Sequence, residues 1–433
     1  MNFMGERLRA MFCDHLSIMR GKYLPASKMK DDESRVAQAL FAVHYDKDLL
    51  IDAPHTRVRT GIPDMVFGWK AAEIRAGWEP DTRVVLSDLF SADGSPLPLC
   101  PRGALKRAQA DWGRHGLTAK VGIEFEAYAF VKDEDGRLVP YDNPGGVVYG
   151  TGNFTDPERF TDAIWEVADE AGFRLELITA EYDTPQFEFT LAYDEAVKAI
   201  DEAVLFRQMA REVALDHGIL LTFLPKPILG KGGSGLHINL SFADGDGRNA
   251  LAAGPVGGPE HLNELGRGAV AGWMRHHKAL AGLCAPTVLS YARLQPASMS
   301  GYWQNWGGDH RGVTVRVSAE GGAKARLEHR MPDASANPYT AVAAVLQAAR
   351  LGYEGSYPLP PLEEGDCFER TDAGSGVAGS LSEAMDDLQA DPALCDAVGR
   401  ELCENHIFMK RAEVEKTAGL EGEALRDFYI WYV

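Results

Sequence analysis

VGIEFEAYAFV, residues 121–131, predicts a β-strand, because apolar and polar side chains alternate along it with period two. The face that begins with Val121 is apolar, whereas the opposite face carries Glu124 and Glu126. Two carboxylates about 4 Å apart repel each other by roughly 4 kcal/mol at an effective dielectric of about 20. The pair therefore needs a shared proton, arginine side chains or divalent cations nearby. Taken alone, the stretch has a simpler interpretation, an edge strand whose polar face meets water.

Four further stretches alternate in the same way, and each puts charged or ligand-type side chains on one face. They are PQFEFTL (185–191), LHINLSF (236–242), GVTVRVS (312–318) and KARLEHR (324–330). If the polar faces converge, they enclose a cavity with carboxylates, an imidazole and guanidinium groups. Its side chains would be those of Glu124, Glu126, Glu181, Glu188, Glu328, His237, Arg293, Arg311, Arg316, Arg326 and Arg330. The alternative, exposed faces of an antiparallel sheet with surface ion pairs, requires five coincidences and is the weaker interpretation.

This set of side chains favours chemistry on phosphate groups. Carboxylates with one imidazole suit Mg²⁺ or Mn²⁺, and arginines bind phosphates and carboxylates by paired hydrogen bonds. In phosphoryl transfer, two metal ions bridge phosphate oxygens while arginines spread the developing charge. The stretch GKGGSGLH (230–237) adds weight to His237, because its glycines let the backbone approach a ligand. Neither a GxxxxGK[ST] loop nor a GxGxxG fingerprint occurs, so P-loop and Rossmann nucleotide binding are not supported.

Composition excludes several classes of protein. The formal net charge is −19, which disfavours a nucleic-acid-binding surface. The six cysteines are sparse and form no CxxC pair, so we expect a reducing cytoplasm. The N-terminal stretch lacks the pattern of a signal peptide, and no run approaches 18 apolar residues. We therefore expect neither secretion nor a membrane partner.

The 433 residues are enough for two domains with a large core. A turn at Asp93 and three prolines within 91–105 predict a boundary, which gives domains 1–104 and 105–433. RVVLSDLF (83–90) predicts a strand. Capping residues and apolar periodicity predict helices at 102–115, 156–172, 194–218, 260–285 and 335–352. The C-terminal tail after them is also predicted to be helical.

The motifs and their order along the chain resemble those of the glutamine synthetase family, whose members are ATP-dependent glutamate–amine ligases. The likeness covers about residues 80 to 355. The Glu-x-Glu strand is followed by EYDTPQFE (181–188), GGSGLHINLS (232–241), SYARLQP (290–296) and RLEHRMPDASANPY (326–339), the last being the nearest match. The resemblance implies an α+β fold. An N-terminal β-grasp domain would precede a catalytic domain in which an antiparallel sheet forms a funnel backed by helices.

The resemblance also implies roles for individual residues. One Mg²⁺ or Mn²⁺ ion would be held by Glu126, Glu181 and Glu188, and a second by Glu124, His237 and Glu328. The glutamate site would contain Arg293, Arg330, Gly233 and Met299. ATP would contact Arg311, Arg316, Arg326 and Ser241, and the catalytic residues would be Arg311 and Arg293. Active sites in the family lie between neighbouring subunits of stacked rings, which implies a homo-oligomer, expected to be a dodecamer.

Departures from the family pattern bear on the substrate. Met299 stands where the family has a flap glutamate that helps deprotonate ammonium, and a thioether carries no charge. With Tyr302, Trp303 and Trp306 nearby in sequence, the pocket suits an apolar amine. Gly232 replaces an asparagine of the glutamate-contacting loop, so the acid substrate is glutamate or a close analogue.

Three functions remain open at this point. The first is formation of a γ-glutamyl amide from glutamate and an amine, through γ-glutamyl phosphate. The second is glutamine synthesis from ammonium, and the third is a non-catalytic relative that binds ligands or builds a ring. The intact metal and phosphate residues argue against the third. Tyr357 falls near a tyrosine that is nucleotidylated in some bacterial relatives, although a turn residue is the simpler interpretation.

Overall fold

The computed structural model describes residues 6–251, 254, 256–369 and 375–433. Its N-terminal part consists of two small sheets. Their strands are β1 Arg7–Cys13, β2 Met19–Pro25, β3 Asp32–Ala37, β4 Asp64–Trp69, β5 Arg75–Ala76, β6 Thr82–Leu86 and β7 Asp88–Phe90. The first sheet has the order β2-β1-β6-β5, with β1 and β6 parallel, and the second has the order β3-β4-β7. A separate apolar cluster that includes Phe12, Phe67 and Trp69 fills this region.

The single strand predicted over 83–90 is wrong. Ser87 separates β6 from β7, and its backbone N–H donates to the carbonyl of Met11 at 2.7 Å. Because the chain changes direction there, β6 pairs with β1 whereas β7 pairs with β4.

A large mixed sheet follows, and β8 is its central strand. The strands are β8 Thr118–Lys132, β9 Leu138–Pro140, β10 Leu175–Ala180, β11 Gln186–Glu195, β12 Leu220–Thr222, β13 Leu236–Ala243, β14 Trp306–Gly308, β15 Val315–Val317 and β16 Leu327–His329. Along the sheet the order is β10-β11-β8-β13-β16-β15-β14, and β9 and β12 also pair with β8. The face of β8 that carries Val121, Ile123 and Phe125 is buried, as the alternation predicts.

Helices pack against this sheet and against one another. They are α1 Pro101–Gly113, α2 Phe160–Glu170, α3 Ala196–Asp216, α4 Glu264–Arg275, α5 His277–Cys284, α6 Ser290–Arg293, α7 Pro338–Gly355, α8 Leu381–Gln389, α9 Pro392–Val398, α10 Arg400–Lys416 and α11 Gly422–Tyr429. Asn337 caps α7, because its side chain accepts hydrogen bonds from the backbone N–H groups of Tyr339 and Thr340. In the described part of the chain, no helix combines the length and apolar character that a membrane crossing requires.

Two of the predicted helices differ from those in the structure. The helix predicted over 156–172 begins at Phe160, because Arg159 has φ 56° and lies outside the helical region. Asp156 still serves this helix, since its carboxylate accepts from the backbone N–H of Thr161 at 2.8 Å. The helix predicted over 260–285 is divided at His276 into α4 and α5.

The strands predicted over 312–318 and 324–330 are shorter than expected. The side chain of Asn305 accepts a hydrogen bond from the backbone N–H of Thr314, so this N–H does not bond to a neighbouring strand. Lys324 belongs to a short 3₁₀ turn rather than to β16. The predicted α+β class is nevertheless confirmed: a small N-terminal sheet domain precedes a larger domain of a mixed sheet and helices. The boundary at residue 104 stays a prediction.

Candidate active site

The register of three strands brings the predicted carboxylates together. In the antiparallel pairing of β8 with β11, Glu126 lies opposite Glu188, and in the pairing of β8 with β13, Glu124 lies opposite His237. Side chains directly opposite each other on one face of such a pair are about 4.5–5.5 Å apart at Cβ. Glu181 follows the end of β10 and joins the group through the bond from its backbone N–H to the carbonyl of Gln186 at 2.9 Å. The polar faces therefore converge, as predicted from alternation.

Two overlapping groups could each hold a cation among the described residues. Glu126, Glu181 and Glu188 form one group, and Glu124, Glu188 and His237 form the other. In each group the potential ligand atoms lie within 4.8 Å of one another. The first group has the membership predicted from sequence. Carboxylate oxygens with one imidazole nitrogen form a donor set that fits Mg²⁺ or Mn²⁺.

The electrostatics of the cluster also fit a cation. Burial, together with repulsion from Glu124, raises the pKa of Glu188 to about 8. Burial also raises the pKa of Glu181, with a contribution from the charge of Glu126. Burial acts in the same direction on Glu124, but the hydrogen bond and charge of His237 outweigh it and lower the pKa of Glu124 to about 2. A divalent cation would relieve this crowding of negative charge.

Glu328 lies beside the cluster but is engaged by arginines. Its carboxylate accepts from Nη1 of Arg316 at 3.0 Å and from Nη1 of Arg330 at 2.5 Å. The Nδ1 atom of His237 lies 3.6 Å from Oε1 of Glu328 and 3.1 Å from Oε2 of Glu124. Glu188, rather than Glu328, completes the second group of close ligand atoms. Glu328 as a metal ligand stays a prediction.

Arg330 and Arg293 are buried at the same place. The Nε of Arg330 has no hydrogen-bond partner among the described residues, which fits a ligand oxygen at this position. Arg293 donates from Nη1 to the carbonyl of Met331 at 2.8 Å. A Cβ on Gly233 would lie 2.6 Å from Cγ of Arg293, so only glycine allows this loop to pack on that side chain.

The structure does not bring every predicted residue to the cluster. Arg311 is exposed and has no ion-pair partner in the described chain, and Arg326 pairs with Glu320 at 2.5 Å. Ser241 borders a separate cavity of 770 Å³ further along β8, β11 and β13, which Tyr193 also lines. The roles assigned to these residues stay predictions.

Of the three aromatic residues that follow Met299, Tyr302 is half-buried, whereas the two tryptophans are withdrawn from the surface. A pocket for an apolar amine at this place stays a prediction. Trp303 and Trp306 are 3% and 4% exposed and pack in the interior. Trp306 donates from Nε1 to the carbonyl of Pro360 at 2.9 Å. Met299 itself is 49% exposed. The side chains of Tyr182 and Tyr149 are exposed near Glu181. Tyr182 follows Glu181 in the chain, and the backbone N–H of Tyr149 donates to the carbonyl of Ala180 at 3.0 Å.

Sequence reasoning missed the side chains that hold the glycine loop 232–235. The carboxylate of Asp183 accepts from the backbone N–H of Gly232, and the hydroxyl of Tyr128 donates to the carbonyl of Gly232 at 3.0 Å. Gln186 donates to the carbonyl of Gly233 at 3.0 Å. Both acidic and amide side chains occur in EYDTPQFE (181–188), but their partners lie more than 40 residues away, so no local pattern reveals these contacts.

Comparisons with known proteins agree on one family. Residues 98–424 match the family described as "Glutamine synthetase, catalytic domain". The chain is 31% identical over 420 residues to the glutamine synthetase of Pyrococcus abyssi, and the aligned region covers 94% of this chain and 90% of that protein. It is 27% identical over 427 residues to a glutamate–isopropylamine ligase of Pseudomonas sp., covering 95% and 91%. A solved structure described as a GmaS/ADP complex superposes with a TM-score of 0.81 at 25% identity, covering 98% of this chain and 96% of that one.

Proposed function

This chain belongs to the glutamine synthetase family and is a carbon–nitrogen ligase, and from that premise we propose that it joins glutamate to an amine other than ammonia, using ATP. ATP phosphorylates the γ-carboxylate of glutamate and leaves as ADP. The amine nitrogen then attacks the acyl carbon, loses a proton and displaces inorganic phosphate. The acyl phosphate divides one difficult condensation into two easier steps.

The observation that carries this proposal is the cluster of Glu124, Glu126, Glu181, Glu188 and His237 beside two buried arginines. These carboxylates and the imidazole would hold divalent cations, which would supply positive charge to neutralise the phosphate groups of the nucleotide. Arg316, already positioned by Glu328, would meet the transferred phosphoryl group from the side of β15. The unpartnered Nε of Arg330 would bind a carboxylate of the amino acid.

The nucleotide base would occupy the separate 770 Å³ cavity that Ser241 and Tyr193 line. Ser241 offers a hydroxyl there, and Tyr193, which is 65% exposed, offers an aromatic face against which a purine can stack. Both residues lie on strands that also carry the cluster, β13 and β11. The relative whose structure contains ADP supports nucleotide use by this fold.

The choice of an amine rests on Met299. A thioether cannot draw a proton from ammonium, so the chain lacks the charged group expected at this position. The exposed rings of Tyr149 and Tyr182 beside Glu181 provide apolar surface for an alkyl group. The relative named glutamate–isopropylamine ligase supports the same substrate class.

The test is a panel of amines offered with glutamate, ATP and Mg²⁺, with ADP release and the product mass as readouts. Ammonium, methylamine, ethylamine and isopropylamine form a series of increasing apolar size. We expect kcat/KM to be at least about tenfold higher for an alkylamine than for ammonium, a difference of about 1.4 kcal/mol. Absence of amine-dependent ADP release across the panel would exclude the proposal.

Met299→Glu is the matched variant for this test. A carboxylate at this position would hold ammonium, so we expect the ratio of ammonium to alkylamine turnover to rise by about tenfold or more. The alternative function is glutamine synthesis, which the relatives named glutamine synthetase favour. In that case the wild-type chain uses millimolar ammonium better than any alkylamine, and Met299→Glu adds little.

A further inference from the structure

The glycine loop 232–235 has no side chain at Gly232, and a carboxylate from another segment fills the space. A Cβ on Gly232 would lie 3.2 Å from Oδ2 of Asp183 and 3.6 Å from Oε1 of Gln186. The carboxylate of Asp183 also accepts from the backbone N–H of Gly232. Glycine at this position therefore makes room for an acidic group that no metal group of the cluster includes.

Asp183 keeps one oxygen free of contacts within the described chain. Its Oδ2 is bound to the loop, whereas Oδ1 has no donor, and Asp183 forms no ion pair, among the residues that the structure describes. The nearest lysines are engaged elsewhere: Lys226 donates to the carbonyl of Lys231, and Lys231 donates to that of Thr184. Burial lowers the pKa of Lys226 and the charge of Asp183 opposes this, so the two groups sense each other without an ion pair. A half-buried carboxylate oxygen of this kind is stabilised by a cationic donor.

Gln186 supplies a second acceptor at the same place. Its Nε2 donates to the carbonyl of Gly233 at 3.0 Å and to Oε2 of Glu126 at 3.4 Å. Both of these oxygens can only accept, so the amide nitrogen must face them and Oε1 must point the other way, toward Gly232. Oε1 accepts no hydrogen bond within the described ranges, although Gln186 is only 4% exposed.

Guanidinium groups lie at the next residues of the same loop. Gly233 packs against the side chain of Arg293, whose Nη2 donates to the carbonyl of Arg330 at 3.2 Å. The Nε of Arg330 is unpartnered among the described residues. The loop thus has acceptors for a cation at Gly232 and donors for an anion close by. This arrangement complements the ammonium and carboxylate groups of an α-amino acid, which are attached to one carbon.

We infer that Asp183 is a specificity-determining residue of the active site. Its Oδ1, together with Oε1 of Gln186, accepts hydrogen bonds from the α-ammonium group of the acid substrate. The inference rests on the proposed use of glutamate and assigns the side chains that recognise its amino end. A bond between a carboxylate and an ammonium group is charge-assisted on both sides and is stronger than one between neutral groups. The chain should therefore reject dicarboxylic acids that lack the α-ammonium group.

The experiment is calorimetric titration of the full chain, in Mg²⁺, with L-glutamate and with glutarate. Glutarate is glutamate without its α-ammonium group, and we expect it to bind at least about tenfold more weakly. Asp183→Asn keeps an oxygen for the N–H of Gly232 but removes the negative charge. It should weaken the binding of L-glutamate by about tenfold or more and change that of glutarate by less than about twofold. A merely structural role in holding the loop would weaken both ligands alike.

Asp216→Asn is the matched control, because Asp216 is exposed at the end of α3. It should bind both ligands like the wild type, and thermal melting checks that each variant is folded. The inference is overturned if the wild type binds L-glutamate no more tightly than glutarate. It is also overturned if Asp183→Asn leaves L-glutamate binding unchanged or weakens both ligands equally.

Binding and turnover separate this inference from the proposed function. Amine-dependent ADP release with the same KM for L-glutamate in wild type and Asp183→Asn would overturn the role of Asp183 and leave the ligase function intact. L-Glutamate binding that depends on Asp183, without ADP release for any amine, would exclude the proposed function and support the role of Asp183.

Discussion

Glu188 is the residue on which both candidate cation groups depend, because it belongs to each of them. It reaches the cluster through its register opposite Glu126, and, in addition to burial, the charges of Glu124, Glu126 and Glu181 all raise the pKa of its carboxyl group. Single side chains of this kind, rather than the sheet as a whole, decide whether a cation can be held.

Glu188→Gln should abolish measurable turnover and weaken Mn²⁺ binding by about 10–100-fold or more, because it removes a ligand oxygen shared by both groups. The metal-free protein should be at least as stable as the wild type, since the change also removes one of several mutually repelling charges. Electron paramagnetic resonance of Mn²⁺ and thermal melting measure the two effects.

Glu176→Gln is the matched control for this substitution. Glu176 is exposed on the neighbouring strand β10 and belongs to neither group. Wild-type Mn²⁺ affinity in Glu188→Gln, or an equal loss in both variants, would contradict the assignment of Glu188.

At the scale of whole elements, α4 and α7 pack unusually closely along small residues. A Cβ on Gly272 would lie 2.0 Å from the carbonyl oxygen of Ala348, and one on Gly352 would lie 2.3 Å from that of Gly268. Because these glycines have no side chains, the backbones of the two helices are in contact at the crossing. Helix α7 also positions the buried segment that connects it to β16.

Gly272→Ala should therefore lower the free energy of unfolding by about 1–3 kcal/mol or more, because the helices must separate to admit the methyl group. Gly113→Ala, at the end of α1, is the control: nothing lies within 4 Å of its added Cβ. The control should be neutral or should stabilise by up to about 1 kcal/mol. Urea unfolding distinguishes the two, and equal stability of both variants would refute the close crossing.

Helix α10 is tied to α5 by a buried histidine that responds to pH. His406 donates from Nε2 to the carbonyl of Gly282 at 2.8 Å, and burial, with Lys410 adding to it, lowers the pKa of His406 to about 3. An unfolded histidine titrates near 6.5. Between these two values the unfolded chain binds a proton that the folded chain does not, so stability falls as pH falls from about 6.5 to about 3.

His406→Gln should make this acid destabilisation shallower by up to about 1.4 kcal/mol per pH unit, since glutamine keeps a donor for Gly282 but does not titrate. Unfolding free energies measured at several pH values from 7 to 4 give the slope. His217→Gln is the control, because His217 is exposed at the end of α3. An unchanged slope in His406→Gln would show that another group dominates acid unfolding.

At the scale of the whole molecule, buried polar contacts join the small N-terminal sheets to the larger domain. Asn337, the cap of α7, donates to the backbone carbonyl of Asp14 at 2.7 Å, and Arg207 of α3 donates to that of Ser17 at 2.9 Å. Arg102 of α1 pairs with Asp88 of β7 at 2.5 Å. These contacts hold the N-terminal region against the helices that support the sheet.

We expect a ring-shaped homo-oligomer, as the resemblance to the family implies, and we propose that exposed apolar side chains contribute to the contact between subunits. Phe154 is 83% exposed, and Tyr182 next to Glu181 is 80% exposed. We expect the purified chain to assemble to a mass near twelve times its 47.2 kDa, as measured by light scattering. Phe154→Asp should reduce that mass and the turnover together, because a charge at an apolar contact opposes association.

Leu215→Asp is the control for assembly, since Leu215 is 55% exposed on α3, away from the cluster residues. A monomeric wild-type chain with full turnover would reject the oligomer prediction. A Phe154→Asp variant that assembles normally would show that this surface lies outside the contact.

The sequence by itself determined what depends on local geometry. Side chains alternate along any strand, so the two faces of β8, with Glu124 and Glu126 opposite Val121, could be predicted from eleven residues. The positions of most helices follow from similar periodicities, whereas the α+β class was implied by the resemblance to the family. The motifs added the family, because their order along the chain is specific.

Only the tertiary structure decided which of these faces meet. Strand register placed Glu188 opposite Glu126 and brought the carboxylate of Glu328 within hydrogen-bond distance of two arginines. Trp303 and Trp306 are buried in the interior. Such pairings depend on contacts between residues far apart in the chain, whose free energy is set by packing and burial rather than by neighbours in sequence.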